Sequence, residues 1–170
     1  MNPTRLALYY AAYFAVIGIL MPFWPIWLEG KGLDAVEIGF ILASAPFVRA
    51  IGSPLIAQVA DRRGLRRPII IVLTAFATIS FAAFNYIDDF WPIVIVTILF
   101  FMLFSASHPL AESLTMHVVR NEGANYGRMR LWGSFTFILA AIGGGYLLEG
   151  RNVNIIIYLA LFGLLILFAT

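Results

Sequence analysis

SASHPLAESLTMHVVRNEGANYGRMRLWGS, residues 105–134, places one acid and one base inside two long apolar runs that flank a polar turn. Glu112 lies nine residues before Asn121 and Arg130 lies nine residues after it. If the runs are antiparallel helices, both groups lie about 10 Å inside the helix ends, at about 1.5 Å of rise per residue. A bare charge is costly at that depth in lipid, so each should bind the other or a ligand. The stretch therefore predicts a membrane hairpin that lines a solute pathway.

The composition is that of an all-α membrane protein. Hydrophobic residues make up 62% of the 170 residues and charged residues 12%, and the mean hydropathy is +0.92. A helix needs about 17–25 residues to cross a bilayer. Six apolar runs of that size are separated by short connections, so we predict one bundle of six transmembrane helices over residues 1–170. The runs are Leu6–Leu28, Ile38–Ala60, Pro68–Ile87, Trp91–Val118, Gly127–Leu148 and Val153–Thr170.

The basic residues indicate the orientation of the bundle. The isoelectric point is about 9.2, but the charges segregate by loop. Lys31 and Arg151 fall on one side, whereas most of the eleven Lys and Arg fall on the other: Arg5, Arg62, Arg63, Arg66, Arg67, Arg120 and Arg128. The positive-inside rule then predicts a multi-pass protein of the cytoplasmic membrane with a cytoplasmic N-terminus, and no nucleic-acid partner. Because the chain has no cysteine, thiolate metal sites and thiol catalysis are excluded; we predict no metal or cofactor.

Polar residues recur on one face of the fourth predicted helix. Their spacing of three and four residues is that of a helical stripe: Ser105, His108, Glu112 and Thr115. The fifth helix offers a matching face with Arg130, Ser134 and Phe137. We predict that these faces form one wall of a substrate cavity. The alternative is a buried ion pair that only fixes the hairpin register, which adds little net stability. His108 fits either a packing role or a proton relay.

Arg49 is a third charge inside an apolar run, about 17 Å from either end of the second predicted helix at about 1.5 Å per residue. It should therefore face the bundle interior or water. With Arg130 and Glu112 it would leave the cavity net positive, which favours a solute with a carboxylate.

Aromatic residues cluster near both ends of the first predicted helix. Trp24 and Trp27 are expected in the outer aromatic belt of the membrane. Tyr9, Tyr10 and Tyr13 are expected as interface anchors or as cavity lining.

The loop Asp61-Arg62-Arg63-Gly64-Leu65-Arg66-Arg67 is short and densely charged. One interpretation is a basic loop that sets the topology. A second is a gate, in which Asp61 pairs with an arginine or a helix N-terminus when the cytoplasmic side is closed.

These motifs together resemble the N-terminal half of a major facilitator superfamily transporter, over essentially the whole chain. The Asp61–Arg67 loop is similar to the family's signature loop between its second and third helices. The segments Pro22–Leu28, Pro109–Glu112 and Tyr126–Ser134 resemble the lactose permease and phenylpropionate permease group. The resemblance implies a twelve-helix transporter whose C-terminal six-helix half is absent from this chain.

The resemblance also implies roles for individual residues. It assigns solute contact to Glu112 and Arg130, and gating to the loop residues Asp61, Arg62, Gly64, Arg66 and Arg67. Phe137 stands where lactose permease stacks a tryptophan on the sugar, which disfavours a galactoside. Arg49 and the pair Leu131-Trp132 look more like the phenylpropionate branch.

We therefore expect a proton-coupled symporter that moves a small organic solute, either an aromatic carboxylic acid such as phenylpropionate or a sugar, by alternating access. The expected partners are the solute, the proton and the lipid bilayer. Two alternatives are a non-transporting or self-pairing six-helix receptor or half-transporter, and an intramembrane serine protease that uses Ser134 with His108 or His117. The protease lacks its usual Gly-x-Ser-Gly context, and the chain is not expected to be an enzyme.

Overall fold

Side-chain caps explain where two of the helices begin. Asp34 Oδ1 accepts hydrogen bonds from the amides of Val36 and Glu37, both at 2.8 Å, and Glu37 Oε2 accepts one from the Asp34 amide at 2.9 Å. This reciprocal arrangement is a capping box. Asn125 Oδ1 accepts from the amide of Arg128 at 3.0 Å. At these two turns, a polar residue follows the end of one helix and caps the start of the next.

The computed structural model describes residues 2–63 and 66–170, and for residues 51, 53–55 and 57–63 it describes the backbone alone. Within those residues the chain forms six α-helices, with a short 3₁₀ turn at Ala83–Asn85, and no strand. The helices are α1 (Pro3–Gly30), α2 (Ala35–Arg63), α3 (Arg66–Ala82), α4 (Phe90–Glu122), α5 (Tyr126–Leu148) and α6 (Ile155–Ala169). Each corresponds to one predicted run, and the predicted all-α class is confirmed.

Helix lengths fit a multi-pass membrane protein. Among the described residues, α1, α4, α5 and the segment Arg66–Asn85 are long and apolar enough to cross a bilayer. Helix α2 has 29 residues, but its side chains are described only in part. Helix α6 is apolar but has 15 residues, which is shorter than the run predicted at Val153–Thr170.

The chain divides into two compact units. The first contains Met1–Gly30 and Thr115–Thr170, and in it α1 packs against α5 and α6. Small residues permit this close approach: a Cβ at Gly18 would lie 2.6 Å from the carbonyl oxygen of Phe137, and one at Gly163 would lie 2.8 Å from Val16 Cγ2. Close packing at glycine is a common way for membrane helices to associate.

The aromatic residues of α1 are part of the core of this first unit. Tyr9, Tyr10 and Tyr13 are at most 2% exposed, and Trp24 and Trp27 at most 3%. The two indole rings stack with centroids 4.8 Å apart, and Trp27 Nε1 donates to Asn154 Oδ1 at 3.2 Å. The prediction that the tryptophans belong to an outer aromatic belt is therefore wrong, because they face neighbouring helices rather than the lipid interface.

The second unit, Lys31–Leu114, contains α2, α3 and most of α4. Aromatic contacts join its helices, since the ring of Phe81 on α3 lies 4.8 Å from that of Phe100 on α4. Lys31, before α2, forms an ion pair with Asp88, before α4. The connections at this end of the unit are thus tied to each other by charge as well as by packing.

Candidate solute-binding site

Helix α4 carries a polar face within the second unit. His108 Nε2 lies 3.7 Å from Glu112 Oε1 one turn along the helix, and the two side chains are 26% and 30% exposed. Ser105 is buried on the same helix. A half-buried carboxylate beside an imidazole can accept hydrogen bonds from a solute or exchange a proton. The structure therefore brings together His108 and Glu112, two of the residues that the sequence placed on one stripe.

Thr115, the last residue of that predicted stripe, makes a hydrogen bond that holds two helices together. It is fully buried in the first unit, and its Oγ1 accepts a hydrogen bond from Tyr10 Oη at 3.1 Å. This bond joins the last part of α4 to α1. Thr115 therefore fixes helix packing.

Arg130 lies on α5 in the first unit, against the aromatic face of α1. Its Cζ is 4.1 Å from the ring centroid of Phe14 and 5.7 Å from that of Tyr10. A guanidinium within about 6 Å of a ring centroid gains cation–π attraction, which strengthens as water is excluded. The Arg130 side chain is half-buried. The sequence predicted Arg130 as a site residue but gave no sign of Phe14.

The turn between α4 and α5 is shorter than predicted. Helix α4 continues to Glu122 and α5 begins at Tyr126, so the turn is residues 123–125. Counted along each helix, Glu112 lies about 15 Å before the end of α4 and Arg130 about 6 Å after the start of α5, at about 1.5 Å per residue. These two distances from the helix ends replace the common value of about 10 Å that the spacing predicted. Because the two residues belong to different units, their pairing stays a prediction.

The other predicted site residues are spread over several environments. Ser134 is exposed on α5, and Phe137 is half-buried with its backbone against Gly18. Arg49 is exposed on α2, so its side chain lies on the surface of its unit. In the predicted gating loop Arg66 is half-buried and Arg67 is exposed. Gly64 and the side chains of Asp61 and Arg62 lie outside the described residues.

A separate cleft of about 440 Å³ opens where α1 and α5 begin. Thr4, Glu122, Arg128 and Trp132 are among its lining residues, whereas Arg130 is not. In the part of the chain that the structure describes, no group of three or more His, Asp or Glu could hold a metal ion.

Comparison with known proteins identifies what the chain is similar to. The family described as MFS_1 like matches residues 3–170. Over 165 residues, 95% of the chain, it is 34% identical to a probable 3-phenylpropionic acid transporter of Escherichia coli (strain K12). Over 158 residues, 91% of the chain, it is 30% identical to a maltose permease of Geobacillus stearothermophilus. The chain spans 41% and 40% of the length of these two relatives. Neither relative is named as an enzyme, so the serine-protease alternative gains no support.

A solved structure confirms the fold. The crystal structure of the nucleoside transporter NupG superposes with a TM-score of 0.80 over 99% of this chain and 44% of that protein, at 16% sequence identity. The six helices therefore have the fold of one half of that transporter.

Proposed function

Because the chain belongs to the MFS_1-like family of the major facilitator superfamily, we propose that it forms the N-terminal bundle of a secondary active transporter for a small organic solute. The observation that carries the proposal is the half-buried Arg130 guanidinium held over Phe14. A guanidinium with one face against a ring can still present N–H donors in its plane to a planar anion. Arg130 would thus bind a solute carboxylate.

We favour an aromatic carboxylic acid as the solute. Arg49 adds a second cation on α2, and a relative 34% identical to the chain is named for 3-phenylpropionic acid. A sugar is the second candidate, because another relative is named a maltose permease and the Glu112 carboxylate could accept hydrogen bonds from hydroxyl groups. Ser134 and Phe137 would complete the α5 wall in either case.

We propose coupling to the proton, with His108 and Glu112 as the titratable groups of this bundle. Alternating access requires a second bundle that rocks against this one. A C-terminal six-helix half would supply it. The Asp61–Arg67 loop would gate the cytoplasmic side, with the N-terminus in the cytoplasm and the protein in the cytoplasmic membrane.

The substitution Arg130→Lys tests the proposal. Lysine keeps the charge but loses the planar fork, so the KM for uptake should rise about 10- to 100-fold, the loss of roughly 1.5–3 kcal/mol of charged hydrogen bonding. The measurement is the uptake of labelled 3-phenylpropionate by proteoliposomes that contain the full-length protein.

Arg128→Lys is the matched control. Arg128 lies two residues before Arg130 on α5 and is exposed. It lines the separate cleft of about 440 Å³, which Arg130 does not line. The KM of the Arg128→Lys variant should stay within about twofold of the unsubstituted value, because Arg128 lies outside the proposed solute site. An Arg130→Lys protein with unchanged KM would remove Arg130 from the solute site.

A further inference from the structure

Two aromatic neighbours of the Arg130 guanidinium lie on the facing helix α1. Phe14 and Tyr10 are four residues apart on α1, so their rings lie on one helical face. The guanidinium carbon is 4.1 Å from the nearer ring centroid and 5.7 Å from the farther one. Contact with the face of a ring restricts the plane of a guanidinium without using its N–H donors.

Gly133 provides the space that the Phe14 ring occupies. A Cβ at Gly133 would lie 2.6 Å from Phe14 Cδ2, 3.2 Å from Phe14 Cγ and 3.3 Å from the carbonyl oxygen of Tyr10. Real Cβ atoms do not approach other atoms so closely, so a side chain at Gly133 would displace the ring. Gly133 comes three residues after Arg130 on α5, so both lie on the side of α5 that meets α1.

A hydrogen bond fixes the register of the two helices at the same level. Thr136 Oγ1 donates to the carbonyl oxygen of Ala11 at 2.8 Å and lies within 2.9 Å of that of Trp132 on its own helix. A hydroxyl that bonds across two membrane helices resists sliding between them. Phe14 therefore has a fixed position relative to Arg130.

From this geometry we infer that Phe14 is a positioning residue for Arg130 and that Gly133 makes the position possible. The ring holds the guanidinium plane so that a planar carboxylate is bound edge-on, by two parallel N–H donors. This rests on the proposed function, in which Arg130 contacts the solute. Phe14 on α1 would thereby help the site to select carboxylates over sugars. A carboxylate needs two parallel N–H donors held in one plane, whereas a single sugar hydroxyl does not.

The variant Phe14→Leu keeps apolar bulk and removes the ring. We expect the KM for 3-phenylpropionate uptake by the whole protein to rise about 3- to 30-fold, the range of cation–π contacts from exposed to desolvated sites, with little change in maximal rate. Phe14→Tyr keeps the ring and should restore KM to within about twofold. Gly133→Ala should raise KM as Phe14→Leu does.

Gly143→Ala is the matched control, because a Cβ at that position of α5 meets nothing within 4 Å. It should leave KM unchanged. Two results would overturn the inference. In the first, Phe14→Leu leaves the KM unchanged while Arg130→Lys raises it. In the second, the KM of Phe14→Tyr is as high as that of Phe14→Leu.

A second measurement does not depend on transport. A double-mutant cycle compares the apparent unfolding temperatures, in detergent, of four proteins. They are the unsubstituted protein, Phe14→Leu, Arg130→Gln and the variant that carries both substitutions. Residues in contact give non-additive effects, so the double variant should lose less than the two single losses combined. Additive losses would overturn the positioning role. Non-additive losses, together with an unchanged KM in Arg130→Gln, would instead show that Arg130 does not bind solute and that the proposed function is wrong.

Discussion

Arg130 and Glu112 are both half-buried charged residues, and the structure identifies an uncharged neighbour for the first and an imidazole for the second. The Arg130 guanidinium lies over an aromatic ring of another helix, whereas Glu112 lies 3.7 Å from His108 on its own helix. The first arrangement places a guanidinium on the face of a ring, and the second places an acid beside an imidazole. These neighbours are the basis on which we propose Arg130 for binding an anion and Glu112 for carrying a proton.

The variant Glu112→Gln separates the charge of this residue from its shape. The amide keeps an acceptor oxygen and a similar shape but cannot take up a proton as a carboxylate can. We expect uptake of 3-phenylpropionate driven by a proton gradient to fall about tenfold or more, because Glu112 is a proposed proton carrier. The exposed Glu149, at the end of α5, provides the control Glu149→Gln, which should behave like the unsubstituted protein. Equal proton-driven uptake by the two variants would exclude Glu112 from proton coupling.

The sequence predicted Arg130, Glu112 and His108 as site residues because charge and polarity are conspicuous in apolar helices. It could not identify Phe14 or Gly133, since the chain contains 15 phenylalanines and 14 glycines and neither residue stands out by spacing. Their roles depend on which faces of α1 and α5 meet. That pairing is fixed by contacts between helices, such as the Thr136 hydrogen bond to Ala11, and these leave no local signal.

At the scale of the elements, the α1–α5 contact is the feature on which the first unit depends. A Cβ at Gly18 would lie 2.6 Å from the Phe137 carbonyl oxygen and 3.1 Å from Ala140 Cβ. Because the first of these atoms belongs to the backbone, no side-chain rotation can relieve the clash. Gly18→Ala should therefore force the helices apart and destabilise the protein by about 1–3 kcal/mol, as overpacking does.

Thermal unfolding in detergent measures this effect, with Gly143→Ala again as the control in open space. We expect a lower unfolding temperature for Gly18→Ala only. If both variants unfolded at the same temperature, the close approach of α1 and α5 would be incorrect.

Helix limits were the most predictable part of the fold. Predicted runs and observed helices agree within a few residues at most ends, because turns such as Asp34–Glu37 and Asn125–Arg128 carry their own caps. The side of each helix that meets a neighbouring helix was less predictable. Trp24 and Trp27 lie near a helix end, which suggested the lipid interface, yet both are buried. Hydropathy indicates how deep a residue lies along a helix, but not which side of the helix meets a neighbour.

At the scale of the whole molecule, the family match and the fold agree. The family match extends over residues 3–170, and the fold is one half of a solved transporter. The chain covers 41% of a relative named for 3-phenylpropionic acid, and the solute, the proton and the second bundle are proposals that rest on this likeness and on the α1–α5 site. The whole protein that we propose is a carrier that binds a carboxylate at Arg130 and exchanges it across the membrane.

Solute counterflow measures whether the whole protein carries an aromatic acid and whether Arg130 is needed for it. Proteoliposomes that contain the whole protein are loaded with unlabelled 3-phenylpropionate and diluted into a trace of the labelled acid, with maltose and a nucleoside assayed in parallel. We predict transient accumulation of the labelled acid, its loss in Arg130→Lys, and no accumulation of the two neutral solutes. Accumulation of a neutral solute alone, or of the acid unchanged in Arg130→Lys, would contradict the account.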